Sequence, residues 1–448
     1  MLPVAALAEE PDGSEDALRN TAVEKADTEI IENTTDNDAV VEDAIVEDTV
    51  VDSDVVDVVA QDIDVQDIDV DAVDVQAVAV EHAHPICGSG DACTDPNHDS
   101  HEIITDWKPI GSTEELKATK ANGHYYLTAN VVIAEYWRCR NSIVLCLNGH
   151  SITFQKASTA SDDGISIGSN TNFTICDCSE NQTGTITGST QNGVKVSGGN
   201  SIFNMYGGKI TGNKALDYGG GIVTFPQQSK TITININNGE ISGNKVTGGS
   251  GGAVAAFFGV TELNIKGGTL TENSAQNYGG GVFLYDATNV TISGGTISEN
   301  KAFRGGGGVC LREGSAVKQT GGSIENNVAK VGGGIYSGTY TMTGGVIKDN
   351  NNSLTEEARR STRGDGVYVG TAFNLGGAAE ISTNNDVYLT AGDSIPKEGR
   401  YINVISKYTG ASTAKPIQIH SEDHTVENTE IGTQLVRYTT DAGGEVAA

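Results

Sequence analysis

The residues best equipped for chemistry in this chain are clustered imidazoles and thiols. His82-x-His84-x-x-Cys87 is followed by Cys93, His98 and His101. Two thiolates and two imidazoles this close in sequence can complete the tetrahedral shell that zinc prefers. The spacing points to His84, Cys87, Cys93 and His98 as ligands of a structural zinc, although Cys-x5-Cys-x4-His is not the spacing of a standard finger. A Cys87–Cys93 disulfide competes for the same sulfurs in an exported chain, so zinc and disulfide are both open. The chain has seven cysteines, an odd number that leaves one unpaired. Cys310, alone in its part of the chain, is the candidate for that free thiol. Cys139, Cys146, Cys176 and Cys178 lie nearer one another, where bridges among them can close one end of a fold.

The elements that must position these groups follow from composition and repeats. Of 448 residues 57 are glycine and only 8 proline, and the net charge is −31. High glycine with little proline and no Gly-X-Y period excludes collagen. The acidity excludes an ordinary basic nucleic-acid binder. No apolar run approaches the roughly 18 residues of a membrane span. Residues 1–81 carry 25 of the 59 acids and only two bases, Arg19 and Lys25. Like charges alternate with β-branched residues through Gln61-Asp-Ile-Asp-Val-Gln-Asp-Ile-Asp-Val70, and their repulsion predicts a disordered acidic spacer over 9–83. Met1-Leu-Pro-Val-Ala-Ala-Leu-Ala8 ends in the small-residue pattern of a secretory cleavage site and reads as the tail of a truncated signal peptide.

A unit of the form Gly-Gly-x-Ile-x-x-Asn then recurs. It appears as Gly207-Gly-Lys-Ile-Thr-Gly-Asn213, Gly267-Gly-Thr-Leu-Thr-Glu-Asn273, Gly294-Gly-Thr-Ile-Ser-Glu-Asn300, Gly321-Gly-Ser-Ile-Glu-Asn-Asn327 and Gly344-Gly-Val-Ile-Lys-Asp-Asn350. Variants stand at Asn238–Asn244 and Gly376–Asn384, and the second glycines are 31, 29, 27, 27, 23 and 32 residues apart. A second glycine cluster follows the early copies, as at Gly219–Gly221 and Gly279–Gly281, and leads into a short apolar run such as Val282-Phe-Leu-Tyr285. Each unit therefore holds three short alternating segments, none able to bury its apolar side alone. Stacking the units about 4.8 Å apart turns inward Ile, Val and Leu into continuous ladders. The fixed Asn suits a turn whose amides bond to the next coil. The expected fold is all-β, a right-handed parallel β-helix of three-strand coils over 145–400, about nine coils that make a rod about 45 Å long at that spacing. A Cys/His-containing segment and N-terminal cap over 84–144 precede it, and a C-terminal cap or tail over 401–448 follows.

The Gly-Gly-x-Ile-x-x-Asn and Gly-Gly-Gly-Val/Ile pair resembles pectate-lyase-like β-helices. It is most similar to repeats of polymorphic outer-membrane-protein and adhesin-type surface proteins, in which Phe commonly stands where Ile or Leu does here. Residues 84–150, with His84-Pro-Ile-Cys87, Trp107, Tyr125-Tyr-Leu-Thr128 and Val144-Leu-Cys-Leu-Asn-Gly-His150, are similar to the opening segment of large secreted β-helix proteins of gut bacteria. The resemblance implies a secreted or cell-surface protein. Ser161-Asp-Asp-Gly-Ile-Ser-Ile167 resembles the paired aspartates of polygalacturonases, which act as acid and base on a glycosidic bond. Asp162 and Asp163 are thus the weak catalytic candidates, but the Asn-x-Asp, Gly-His-Gly and Arg-x-Lys that accompany such a pair are missing in order. A polar loop is the favoured setting for them.

Register supplies the binding candidates. After the second glycine clusters the first and third residues, such as Ile222/Thr224 and Val282/Leu284, suit the interior. The second and fourth then point outward and raise an aromatic stripe of Phe225, Phe283, Tyr285, Tyr336 and Tyr368. Such a stripe can stack on sugars or anchor a protein, and cover by a neighbouring loop is its bland alternative. The expected function is a non-catalytic binding or adhesion module, monomeric, for carbohydrate or a host or bacterial cell-surface protein. A polysaccharide lyase or glycoside hydrolase acting on an acidic polysaccharide is the alternative.

Overall fold

The computed structural model describes residues 82–86, 102–155, 163–226, 230–257, 260–285, 288–312, 315–351, 364–382, 384–389, 402–409, 418–421 and 436–438. The acidic stretch 1–81 and the signal-like start lie outside them. Alternation of apolar and polar residues in segments of three to six dictates strands, and the glycine pairs between them dictate sharp turns. Because each coil repeats the same pattern, the coils stack in parallel, and the chain forms a right-handed parallel β-helix of about 8 turns.

Three stacks of strands make up its walls. Stack A runs through Trp137–Cys139, Ile165–Ile167, Val194–Ser197, Ile222–Phe225, Val254–Phe257, Val282–Tyr285 and Val309–Arg312. Stack B includes Gly123–Leu127, Ile143–Cys146, Asn172–Cys176, Ser201–Met205 and Thr231–Ile236. Stack C contains the Ile of each Gly-Gly-x-Ile unit. There Ile186, Ile210, Ile241, Leu270, Ile297, Ile324, Ile347 and Ile381 lie in register, all buried. A fourth, short stack joins Lys214–Ala215, Lys245–Val246, Ser274–Ala275 and Lys301–Ala302 just past each asparagine. The ladder already includes strands between Lys108 and Cys139, ahead of residue 145. A single-turn helix, Thr113–Lys117, is capped by Ser112 and sends Leu116 into the core. Among the described residues no helix is long and apolar enough to cross a membrane.

The asparagines stack in one turn. Asn273 Oδ1 accepts from the backbone N–H of Asn244 at 3.1 Å and from its Nδ2 at 3.0 Å. Asn273 Nδ2 in turn donates to Ile241 O at 2.8 Å and to Asn300 Oδ1 at 3.0 Å. The same bonds link Asn213, Asn244, Asn273, Asn300, Asn327, Asn350 and Asn385. At the last coil the rung is Asn385, one residue beyond the Asn384 of the repeat variant. The residue before each of the first six rungs takes a left-handed conformation, supplied by Gly212 and Gly243 in two coils but by Glu272 and Glu299 in the next two. The ladder thus holds non-glycine residues where glycine would be easiest.

Candidate functional site

Stack A carries the outward residues on which a binding role depends. Its pleat sends Ile222, Thr224, Val282, Leu284, Val309, Leu311, Ile335, Val367 and Val369 into the core, where all are buried. The opposite face carries Arg138, Ser166, Lys195, Val223, Ala255, Phe283, Cys310, Tyr336, Tyr368 and Tyr388 in one continuous row.

The aromatic part of this row is only partly open. Val223, Ala255, Phe257, Phe283 and Cys310 form a second buried cluster outside the solenoid core. Phe283 is 4% exposed, so an accessible stripe that includes it is corrected. The register places it outward, but Tyr218 and Tyr278 fold over the face and their rings lie 6.4 Å from that of Phe283. Each of these tyrosines immediately precedes a glycine triple, Gly219–Gly221 and Gly279–Gly281. That Tyr-Gly-Gly-Gly pattern is the signal by which they could have been found. The backbone needs glycine there: a Cβ on Gly281 would come within 2.6 Å of Gly308 O. Tyr285 and Tyr336 are half-buried against the cluster. Tyr336, Tyr368 and Tyr388 stack face to face with centroids 4.8 and 5.6 Å apart. Burial pushes the Tyr336 hydroxyl up to about 12. Cys310 is fully enclosed, and burial pushes its thiol up as well.

Phe225 is different. It is 41% exposed and stacks on Phe257 with centroids 5.9 Å apart. Lys195 reaches over its ring at 5.5 Å while pairing with Asp163 at 2.9 Å. Asp163, one of the weak catalytic pair, is therefore held by a lysine. Its recess, shared with Glu135, has a volume of about 10 Å³, room for about one water and not a sugar ring. Asp162 lies outside the described residues.

The coils before Phe225 form an open groove of about 500 Å³. Arg138 and Arg140, both exposed, stand over a floor of Ser166, Ser169, Thr171 and Ser197. The Arg138 guanidinium lies 5.3 Å from the Tyr136 ring centroid and donates to its hydroxyl at 3.2 Å. No described carboxylate lines the groove. Arg138 and Arg140 precede the glycine-marked repeats from which outward positions can be counted, so the repeat does not announce them.

A second grouping lies on the outer face of stack B. Tyr126, Cys146 and Cys176 are in register on successive strands, and residues 82–86 fold back over them. The His82 ring stacks on Tyr126 at 3.9 Å, and the His84 ring stacks on Trp107 at 4.4 Å. His82, His84, Cys146 and Cys178 bring their donor atoms within 4.8 Å of one another. Of the expected zinc set, His84 joins this group, whereas Cys87, Cys93 and His98 lie outside the described residues. Cys139, Cys146, Cys176 and Cys310 carry no disulfide, so none of the bridges expected among Cys139, Cys146, Cys176 and Cys178 is formed. Cys139 points into the core, where burial pushes its thiol up to about 11. No protein-family model, curated protein or solved structure matches this chain.

Proposed function

We propose that the protein is a non-catalytic binding module, secreted or displayed at the cell surface, that grips an anionic polysaccharide on the outer face of stack A. The observation that carries this reading is the groove. Two exposed arginines face a floor of hydroxyl groups in a chain whose net charge is −31. Guanidinium forks match carboxylate and sulfate oxygens in two-point contacts, and serine and threonine hydroxyls match sugar hydroxyls. Phe225 lies on the third strand beyond Arg138, a strand separation of about 14 Å, and offers an open ring for a sugar face. Arg138 and Arg140 then bind the anionic groups while Phe225 stacks further along the same chain. The pairing of Asp163 with Lys195 and the narrow recess around it favour binding over cleavage.

Polygalacturonate and a neutral glucan, each titrated calorimetrically, test the proposal. Polygalacturonate alone is expected to bind, more weakly at high salt, and Arg138→Ala with Arg140→Ala is expected to reduce affinity at least tenfold. Equal binding of the neutral polymer, or an unchanged affinity in the double variant, would refute the groove. Release of unsaturated or reducing ends would instead favour the lyase or hydrolase reading.

A further inference from the structure

The His/Cys group on stack B lies apart from the arginine groove and has a chemistry of its own. Its four donors come from three segments far apart in sequence: His82 and His84, Cys146 at the end of Ile143–Cys146, and Cys178 just past Asn172–Cys176. His82 Nε2 lies 2.9 Å from His84 Nε2 and 3.8 Å from Cys178 Sγ. Cys178 Sγ lies 3.4 Å from Cys146 Sγ. A tetrahedral zinc with the usual bond lengths sets its ligand atoms roughly 3.3 to 3.8 Å apart. Three observed edges therefore fall within a few tenths of an ångström of that polyhedron before any metal has drawn the ligands in.

The His84 imidazole is also held in a suitable state. His84 Nδ1 lies 2.7 Å from Pro85 O, and a carbonyl only accepts, so Nδ1 carries the proton and Nε2 presents its lone pair to the group. Tyr126 and Trp107 stack on the two rings and fix their planes. The strand register gives the Cys146 thiol a fixed place on the outer face opposite Cys176, and Cys178 follows two residues beyond that strand. Geometry thus supplies two nitrogen and two sulfur donors with an oriented outer shell.

We propose that His82 Nε2, His84 Nε2, Cys146 Sγ and Cys178 Sγ bind one zinc(II) ion, which clamps residues 82–86 onto the first coils of the solenoid. Both thiol protons are lost to solvent when the ion binds, and the His82 proton moves from Nε2 to Nδ1, leaving two thiolates, two neutral imidazoles and a neutral site. Four protein ligands fill the shell, so the ion is structural and has no open position for a substrate. The four-ligand shell is complete without Cys87 and Cys93, which lie outside the described residues.

The test uses the full chain purified without chelator under reducing conditions. Elemental analysis is expected to find one zinc per chain, and cobalt exchange is expected to give the visible bands of a tetrahedral site with thiolate charge transfer. Cys178→Ser and His82→Gln should each abolish the charge-transfer band or cut metal affinity at least tenfold. Cys87→Ser with Cys93→Ser should leave stoichiometry and spectrum unchanged. Cys146 is wholly buried, so the half-buried Cys178 and His82 variants carry the test if Cys146→Ser does not fold. A chain without zinc, a Cys146–Cys178 disulfide found by differential alkylation, or loss of zinc in the Cys87/Cys93 variant would each overturn the assignment.

Discussion

Replacing Asn273 probes the asparagine ladder at its middle. The side chain accepts from Asn244 N at 3.1 Å and Asn244 Nδ2 at 3.0 Å, and donates to Ile241 O, Thr271 O and Asn300 Oδ1. In Asn273→Ala the backbone N–H of Asn244 loses this acceptor and Ile241 O loses this donor, inside a turn where Asn244 and Asn273 are fully buried. Asn244 Nδ2 keeps Ile210 O, and Asn300 Oδ1 keeps the backbone N–H of Asn273, so neither is abandoned. A buried polar group left without its partner costs about 1–3 kcal/mol, so the variant should lose about 2–4 kcal/mol. Urea unfolding followed by far-ultraviolet circular dichroism measures it, with Asn277→Ala as control. Asn277 makes one exposed bond, to Gly248 O at 2.9 Å, and should cost less than about 1 kcal/mol. Asn273→Asp adds a sign test. The carboxylate can accept from Asn244 but faces Ile241 O and Asn300 Oδ1 with no proton to give. Its folded pKa must then lie above the unfolded value of about 3.9. The penalty is therefore largest above the folded pKa and shrinks as pH falls through it. Equal losses in Asn273→Ala and Asn277→Ala, or an Asp variant that weakens further on acidification, would refute the reasoning.

The outer cluster should separate two aromatic residues that look equivalent in register. Phe283→Ala is expected to cost about 3 kcal/mol because its ring is enclosed, while Phe225→Ala should cost less than about 1 kcal/mol, both read from urea midpoints. Glu325 should give a small acid dependence. The Ser323 hydroxyl at 2.6 Å, followed by Lys348 at 3.0 Å, holds its carboxyl below the usual range. With a depressed folded pKa, this stabilisation is present above the unfolded value and is lost as pH falls through the folded one. Glu325→Gln should therefore flatten the stability difference between pH 6 and pH 3 by about 0.5 kcal/mol, discounted for the half-exposed lysine. An unchanged slope would show that the pair contributes nothing.

Much of the solenoid was legible before any coordinates. A parallel stack places each residue over its counterpart one repeat later, so identity at a spacing of 27 to 31 residues reports a spatial contact directly. That is why the inward row of Ile210, Ile241, Leu270 and Ile297, and the rungs from Asn213 to Asn327, follow from the repeat alone. Where the repeat is irregular the inference slips by a residue, as at Asn384 and Asn385.

The sites were less legible, for a different reason. Period and pleat determine which face of a strand a residue occupies, but not what else lies over that face. Phe283 points away from the core as its position requires, yet Tyr278 from the turn of its own coil and Tyr218 from the turn two coils earlier cover it. The thiols showed the same limit. Cys87 and Cys93 are near His84 in the chain, whereas Cys146 and Cys178 are brought to it by the fold-back of residues 82–86 and the register of stack B. Repetition in the sequence determined the coil, its inward ladders and its asparagine turn, because each depends on a nearest neighbour of the same kind. The His/Cys group joins unlike segments with no period to announce it, and what a repeated tyrosine covers is set by its path over the outer face, so only the tertiary course of the chain decided those.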